Sequence, residues 1–269
     1  MRSGQLRKTF AAIAVATLVL ASLALAFTEG RSRFGKRTAI ANIERPNQMP
    51  RVVLWAWERP VDLRFINPRE TGVAFLARTI HLRANEVVVR PRLQPLALPE
   101  GTSVIAVARV ESDQHTTPGL STQQTEELAA AIAEMARLPN ISSIQIDFDA
   151  ARSERSFYHD VILSVRRRLP ASVALSITAL ASWCADDDWI SDLPIDEAVP
   201  MLFRMGPDAR QIRDRVTSGQ EFLARPCRDS YGISTDEPLR NLSATKRLYV
   251  FNPDAWTEGS VREIMDSRK

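Results

Sequence analysis

Residues 142–154 read "SSIQIDFDAARSE", a hydrophobic strand that ends in two aspartates one residue apart. Successive strand residues point to opposite faces. Ile144, Ile146 and Phe148 therefore share one side, while Ser143, Gln145, Asp147 and Asp149 share the other. A solvated edge strand more often shows lysine, threonine and mixed charge than two acids at its carboxyl end. Such a polar face calls for an enclosed place to point, and the neighbouring sequence has to supply one.

Eight strand-like runs recur from Arg51 onward: "RVVLWAW" (51–57), "GVAFLAR" (72–78), "SVIAVARVE" (103–111), "SSIQIDF" (142–148), "SVALSITAL" (172–180), "EAVPMLFRM" (197–205), "YGIS" (231–234) and "RLYVFN" (247–252). After the third run, residues 121–138 predict a helix, with Ser121 and Gln124 as a capping box and a stripe through Leu128, Ile132 and Met135. After the fourth, residues 153–170 predict another, with Ser153 as N-cap, a stripe through Phe157, Val161, Ile162 and Val165, and arginines at the end favoured by the helix dipole. A third helix is expected over residues 208–216. Strands alternating with helices imply parallel pairing, and eight units suggest an α/β fold made of a single (β/α)8 TIM-like barrel over residues 51–269. A doubly wound open sheet is the competitor, but no strand is followed by a glycine-rich phosphate turn. The barrel is expected to be irregular in its first two units: "PVDLRFINP" is too short for a long helix, and residues 80–101 read as extended chain with 87–89 as an extra strand.

At 269 residues with 45% hydrophobic and 25% charged content, the chain can bury a full core. Residues 1–27 form a separate segment, in which Arg2, Arg7 and Lys8 precede an apolar run from Phe10 to Phe27 containing "ASLALA". They read as a signal peptide, with a signal anchor through residues 10–27 as the alternative, and residues 28–50 read as a basic linker. The expected location is periplasmic or secreted, or anchored to the membrane. Those three cations account for the whole formal charge of +3, so the pI of 9.1 gives no ground for a nucleic-acid partner. His81, His115 and His159 form no ligand signature with each other or with cysteine, and neither metal nor cofactor is expected. Cys184 and Cys227 are either a disulfide or two buried thiols. The barrel puts Cys184 at the top after the fifth strand and Cys227 near the bottom before the seventh, so a bridge requires the intervening chain to climb the wall.

In such a barrel Ile144, Ile146 and Phe148 face the helices, and Gln145, Asp147 and Asp149 face the lumen, with both acids at the end where barrel active sites are built. Two structural roles compete with this: Asp149 as a helix cap, and Asp147 as the partner of Arg109 or Arg204. Other strand ends carry Trp55, Trp57 and Glu58; Glu111; Trp183; Asp236 and Glu237; and Asn252, Asp254 and Trp256. Indole faces beside carboxylates suit pyranose rings, whose C–H faces stack while their hydroxyls seek acids and amides. Glycoside hydrolysis needs one protonated carboxyl for the leaving oxygen and a second group to stabilise the oxocarbenium-like centre. The expectation is Asp149 as proton donor, Asp147 as its electrostatic partner, and Glu58, Glu111 or Glu237 as second carboxylate. Trp55, Trp57, Trp183, Arg204, Asp236, Asn252 and Trp256 are the expected contacts to a polysaccharide or oligosaccharide. The alternatives are a glycan-binding barrel without catalysis, and a structural component of the envelope.

The stretches "GVAFLARTIHL", "IQIDFDA", "LSITALASWC", "VPMLFRMG" and "GISTDEP" together resemble the bacterial family known as domain of unknown function 3142, across about residues 51–256. That family is placed among glycosidase-like TIM barrels, which implies the same fold. More distantly, the fourth strand resembles the D-x-x-D-x-D-x-E pattern of family 18 chitinases. Its positions fall on Ser142, Gln145, Asp147 and Asp149, so the third acid is kept and an aspartate stands where the general-acid glutamate is implied. "MLFRM" takes the place of Met-x-Tyr-Asp, with Arg204 at the aspartate, and Trp256 resembles the tryptophan that ends the eighth strand.

Overall fold

A computed structural model describes residues 49–268. The expected signal segment, and the basic linker up to residue 48, lie outside the described residues.

Eight parallel strands close into a barrel: β1 (Val52–Ala56), β3 (Thr71–Arg83), β6 (Val104–Ser112), β7 (Ile141–Asp147), β8 (Ala174–Leu180), β9 (Glu197–Met201), β10 (Ser230–Ser234) and β11 (Arg247–Phe251). The sheet runs β1-β11-β10-β9-β8-β7-β6-β3, and β1 pairs with β3 to complete the circle. Each predicted run supplies one barrel strand. The first two connections hold no helix, as their short and extended sequences foretold. Instead β4 (Glu86–Pro91) folds back antiparallel on β3, and the two-residue strands β2 (Val61–Asp62) and β5 (Leu96–Ala97) pair outside the barrel.

The outer layer is formed by α1 (Thr122–Ala133), α2 (Arg155–Arg168), α3 (Ala181–Ala185), α4 (Ala209–Thr217) and α5 (Glu258–Asp266). Ser121 caps α1 by accepting from Gln124 N, but the Gln124 amide oxygen takes the Leu120 N–H rather than that of Ser121. Ser153 does not cap α2. A 3-10 turn over Arg152–Glu154 precedes that helix, and Glu154 reaches back to accept from Ala151 N at 2.7 Å. A glutamate one residue further on has the longer reach needed to close this turn. Ile144, Ile146 and Phe148 are buried in the outer core with Phe157, Val161 and Val165 of α2.

The lower lumen is filled by side chains. Glu197, at the start of β9, accepts from Tyr249 Oη at 2.7 Å and from Arg247 at 2.9 Å. Burial would lower the Arg247 pKa, but the facing carboxylate outweighs it and the guanidinium stays charged. Above this pair, Trp55 lies across the lumen against Tyr249 at 5.5 Å and donates from Nε1 to Gln145 Oε1 at 2.9 Å. Gly232 makes room for it, since a Cβ there would sit 3.0 Å from the indole.

Cys184 and Cys227 form a disulfide, with Cα atoms 5.9 Å apart. The two segments that carry the cysteines meet on the same strand. α3 and the 3-10 turn Arg225–Cys227 both pack against β9, and Ala224 N donates to Cys184 O at 3.2 Å. The bridge spans 43 residues, and loop-closure entropy predicts that reduction lowers unfolding free energy by about 2–4 kcal/mol. Urea titration with and without reductant measures this, and an unchanged midpoint would refute it.

Candidate active site

At the carboxyl ends of the strands the barrel opens into a cleft of about 1520 Å³. Asp147 ends β7 with its side chain in the lumen, where Thr178 Oγ1 of β8 donates to it at 2.6 Å. Burial pushes its pKa up to about 6; Asp149 and Glu111 add to the rise, and the Thr178 hydrogen bond and the Arg109 charge oppose it. Asp149 opens into the cleft and makes no hydrogen bond among the described residues; its carboxyl lies deep enough in the cleft for desolvation to raise its pKa against the pull of Arg109. Neither structural role considered for these acids is taken up. Glu154 closes the turn before α2, and Arg109 pairs with Glu111 at 2.6 Å.

The raised pKa has a consequence for stability. With an unfolded value near 3.8 and a folded value of about 6, the native state holds more protons than the unfolded state between those limits. Stability therefore falls as pH rises through that window, and the loss is complete above the folded pKa. Asp147→Asn is expected to flatten this part of the curve and to be more stable than wild type at neutral pH. Melting temperatures at stepped pH measure it; the same slope in both proteins would show that Asp147 is not the source.

Glu111 owes a second neighbour to a backbone irregularity. The β3–β6 register slips between Leu76 and Arg78, so Ala77 and Ile80 both join the outer core while His81 stands beside Glu111. His81 Nδ1 lies 3.3 Å from Glu111 Oε2, and its Nε2 is buried with no hydrogen-bond partner among the described residues. Without that bulge, the residues after Ala77 would face the opposite way.

Aromatic rings line the rest of the cleft. Phe203 and Phe251 stack at 5.9 Å with 3° between their planes, and Trp57 meets Phe251 edge-on at 6.2 Å. Arg204 adopts a φ of +49°, in the left-handed region. Glu237 accepts its backbone N–H at 3.1 and 3.2 Å, and Asp236 holds its guanidinium at 3.0 Å, 5.6 Å from both phenylalanine rings.

Of the residues singled out in the sequence, Asp147, Asp149, Glu111, Trp55, Trp57 and Arg204 line the cleft. Glu58 is exposed outside it. Glu237 and Asp236 support Arg204 from behind, and Asn252 accepts from Thr235 Oγ1 at 2.8 Å. Trp183 is buried in the outer core against Trp189 at 5.1 Å, and Trp256 donates to Trp55 O at 3.0 Å from outside the cleft. Sequence reasoning passed over Thr178, Phe203, Phe251, Glu154 and His81. Strand alternation places Phe203 and Phe251 on the lumen face with Val199 and Tyr249, so that signal was present. His81 gave none, because a bulge is invisible to a period-two count. Among the described residues, no three His, Cys, Asp or Glu side chains are grouped to hold a metal ion, and no helix is long and apolar enough to cross a membrane.

Residues 100–203 match the model of a family described as domain of unknown function (DUF3142). No curated protein matches the chain. Among solved structures, it is similar to the chitinase domain of the spore coat protein CotE from Clostridium difficile, at 13% identity and a TM-score of 0.38 over 63% of this chain and 56% of that one. It is also similar to the Bacillus cereus spore cortex-lytic enzyme SleL, at 17% identity and a TM-score of 0.43 over 69% of this chain and 52% of that one. The chain thus spans little more than half the length of either structure.

Proposed function

Residues 100–203 carry the family match and also Glu111, Asp147 and Asp149 of the cleft, and from that premise we propose that the barrel is a glycoside hydrolase acting on a bacterial envelope or extracellular polysaccharide. The observation that carries this reading is the pair Asp147 and Asp149, both with raised pKa, at the mouth of an aromatic-lined cleft. Such a pair retains a proton at pH values where a solvated aspartate has lost its own. Asp149, open to the cleft, gives that proton to the glycosidic oxygen as the C–O bond breaks and its electron pair passes to that oxygen. Asp147, held by Thr178, offsets the positive charge developing at the anomeric carbon. Water completes the hydrolysis, adding hydroxyl to the sugar and returning a proton to Asp149. Glu111 is the second carboxylate, because of the three expected candidates it alone lines the cleft. The export reading of residues 1–27 supports a polysaccharide outside the cytoplasm as substrate.

The test is release of new reducing ends from a panel of bacterial exopolysaccharides, cell-wall glycan and chitin fragments. Cleavage of at least one is expected. Tight binding of a glycan with no cleavage anywhere in the panel would replace this reading with a glycan-binding barrel.

A further inference from the structure

Resting on the glycan reading of the cleft, we infer that its substrate carries protonated amines, as in a polymer of de-N-acetylated hexosamine units. The charges in the cleft are unbalanced. Its two arginines are already satisfied, Arg109 by Glu111 at 2.6 Å and Arg204 by Asp236 at 3.0 Å. Asp113, a further acid of the wall, is held by Arg83 at 2.9 Å. That leaves Asp147, Asp149, Glu154 and Asp208 facing one cleft with no ion-pair partner among the described residues, an excess of negative charge even with one proton held by the Asp147 and Asp149 pair. His81 and His115 are the remaining titratable groups there, and His81 already faces Glu111. A concave surface with an excess of one sign focuses its field on a ligand of the other.

The aromatic wall points to the same ligand by a separate route. Arg109 lies 5.8 Å from the centre of the Trp57 ring and Arg204 5.6 Å from both Phe203 and Phe251. These ring faces hold cations, as the aromatic quadrupole favours. An amino sugar presents to such a wall an apolar ring face and an ammonium group together. An acetamido sugar brings no charge to the carboxylates, and a uronic acid would meet them with both cleft arginines already paired.

The experiment is calorimetric binding to the full-length protein of three oligosaccharides of equal length: glucosamine, N-acetylglucosamine and galacturonic acid, at about pH 6.5, above the folded Asp147 pKa of about 6 and where a large share of the amines is still protonated. The glucosamine oligomer is expected to bind about tenfold tighter than its acetylated counterpart, a difference of about 1.4 kcal/mol. Added salt should narrow that preference. Asp208→Asn should narrow it several-fold, weakening the glucosamine oligomer more than the acetylated one. Asp208 precedes α4 without making a side-chain cap bond, so the variant loses charge and no helix cap. Equal or tighter binding of the acetylated or the uronic oligomer, or a preference indifferent to salt and to Asp208→Asn, would overturn the amine inference and leave the glycan reading standing. Failure of all three to bind, together with an inert hydrolysis panel, would remove both.

Discussion

Asp149→Asn is expected to lower kcat/KM for glycan hydrolysis by about a hundredfold to ten-thousandfold, the usual contribution of a positioned general acid. The substitution keeps size and shape but removes the proton that leaves with the glycosidic oxygen. It should not disturb the fold, since the Asp149 carboxyl makes no hydrogen bond among the described residues and lies open to the cleft. The loss should shrink for substrates with an aryl leaving group, because a stable phenolate needs less protonation as it departs. That dependence separates an acid from a residue that merely binds sugar, whose removal would penalise both substrates equally. A loss below about tenfold on the natural linkage, with binding intact, would show that another group donates the proton, and Glu111 would be the first to replace it.

Glu197→Ala is expected to destabilise the protein by about 3–5 kcal/mol, the typical result of removing one partner from a buried ion pair. Glu197 is 9% exposed and receives both the Arg247 guanidinium and the Tyr249 hydroxyl. Its loss leaves a buried cation without its carboxylate and a buried phenol without its acceptor. The pair sits at the amino-terminal end of the strands, away from the cleft, so the effect should appear in the denaturation midpoint and not in KM. Glu197→Gln keeps an acceptor for the phenol and should cost less than the alanine. A shift under about 1 kcal/mol for the alanine variant would mean that water enters the floor and solvates Arg247. The lower lumen would then be less tightly sealed than its side-chain packing implies.

The strand ladder was legible in the sequence because a barrel strand meets two different environments. Helices cover its outer face and demand apolar residues, so Ile144, Ile146 and Phe148 announce that side. The lumen face tolerates Gln145 and Asp147 only where partners are supplied, and the partners come from distant strands. Trp55 lies 90 residues from Gln145 and Thr178 lies 31 from Asp147, separations that no local pattern reveals. The tryptophans teach the same point in reverse. Trp57, Trp183 and Trp256 all follow strands, yet Trp183 turns into the outer core on α3, which packs against β9, while Trp57 stays in the cleft.

Local periodicity thus suffices for the count of strands, their order of burial and the end of the barrel at which the two aspartates emerge, because alternation and amphipathic spacing depend on near neighbours. Which carboxylates share one cleft depends on where eight strand ends meet. The pairing of Cys184 with Cys227, the bulge that turns His81 toward Glu111 and the neutralisation of Arg204 by Asp236 likewise require the closed sheet. Each is a contact between groups far apart in the chain, and its free energy exists only after the backbone has brought those groups together.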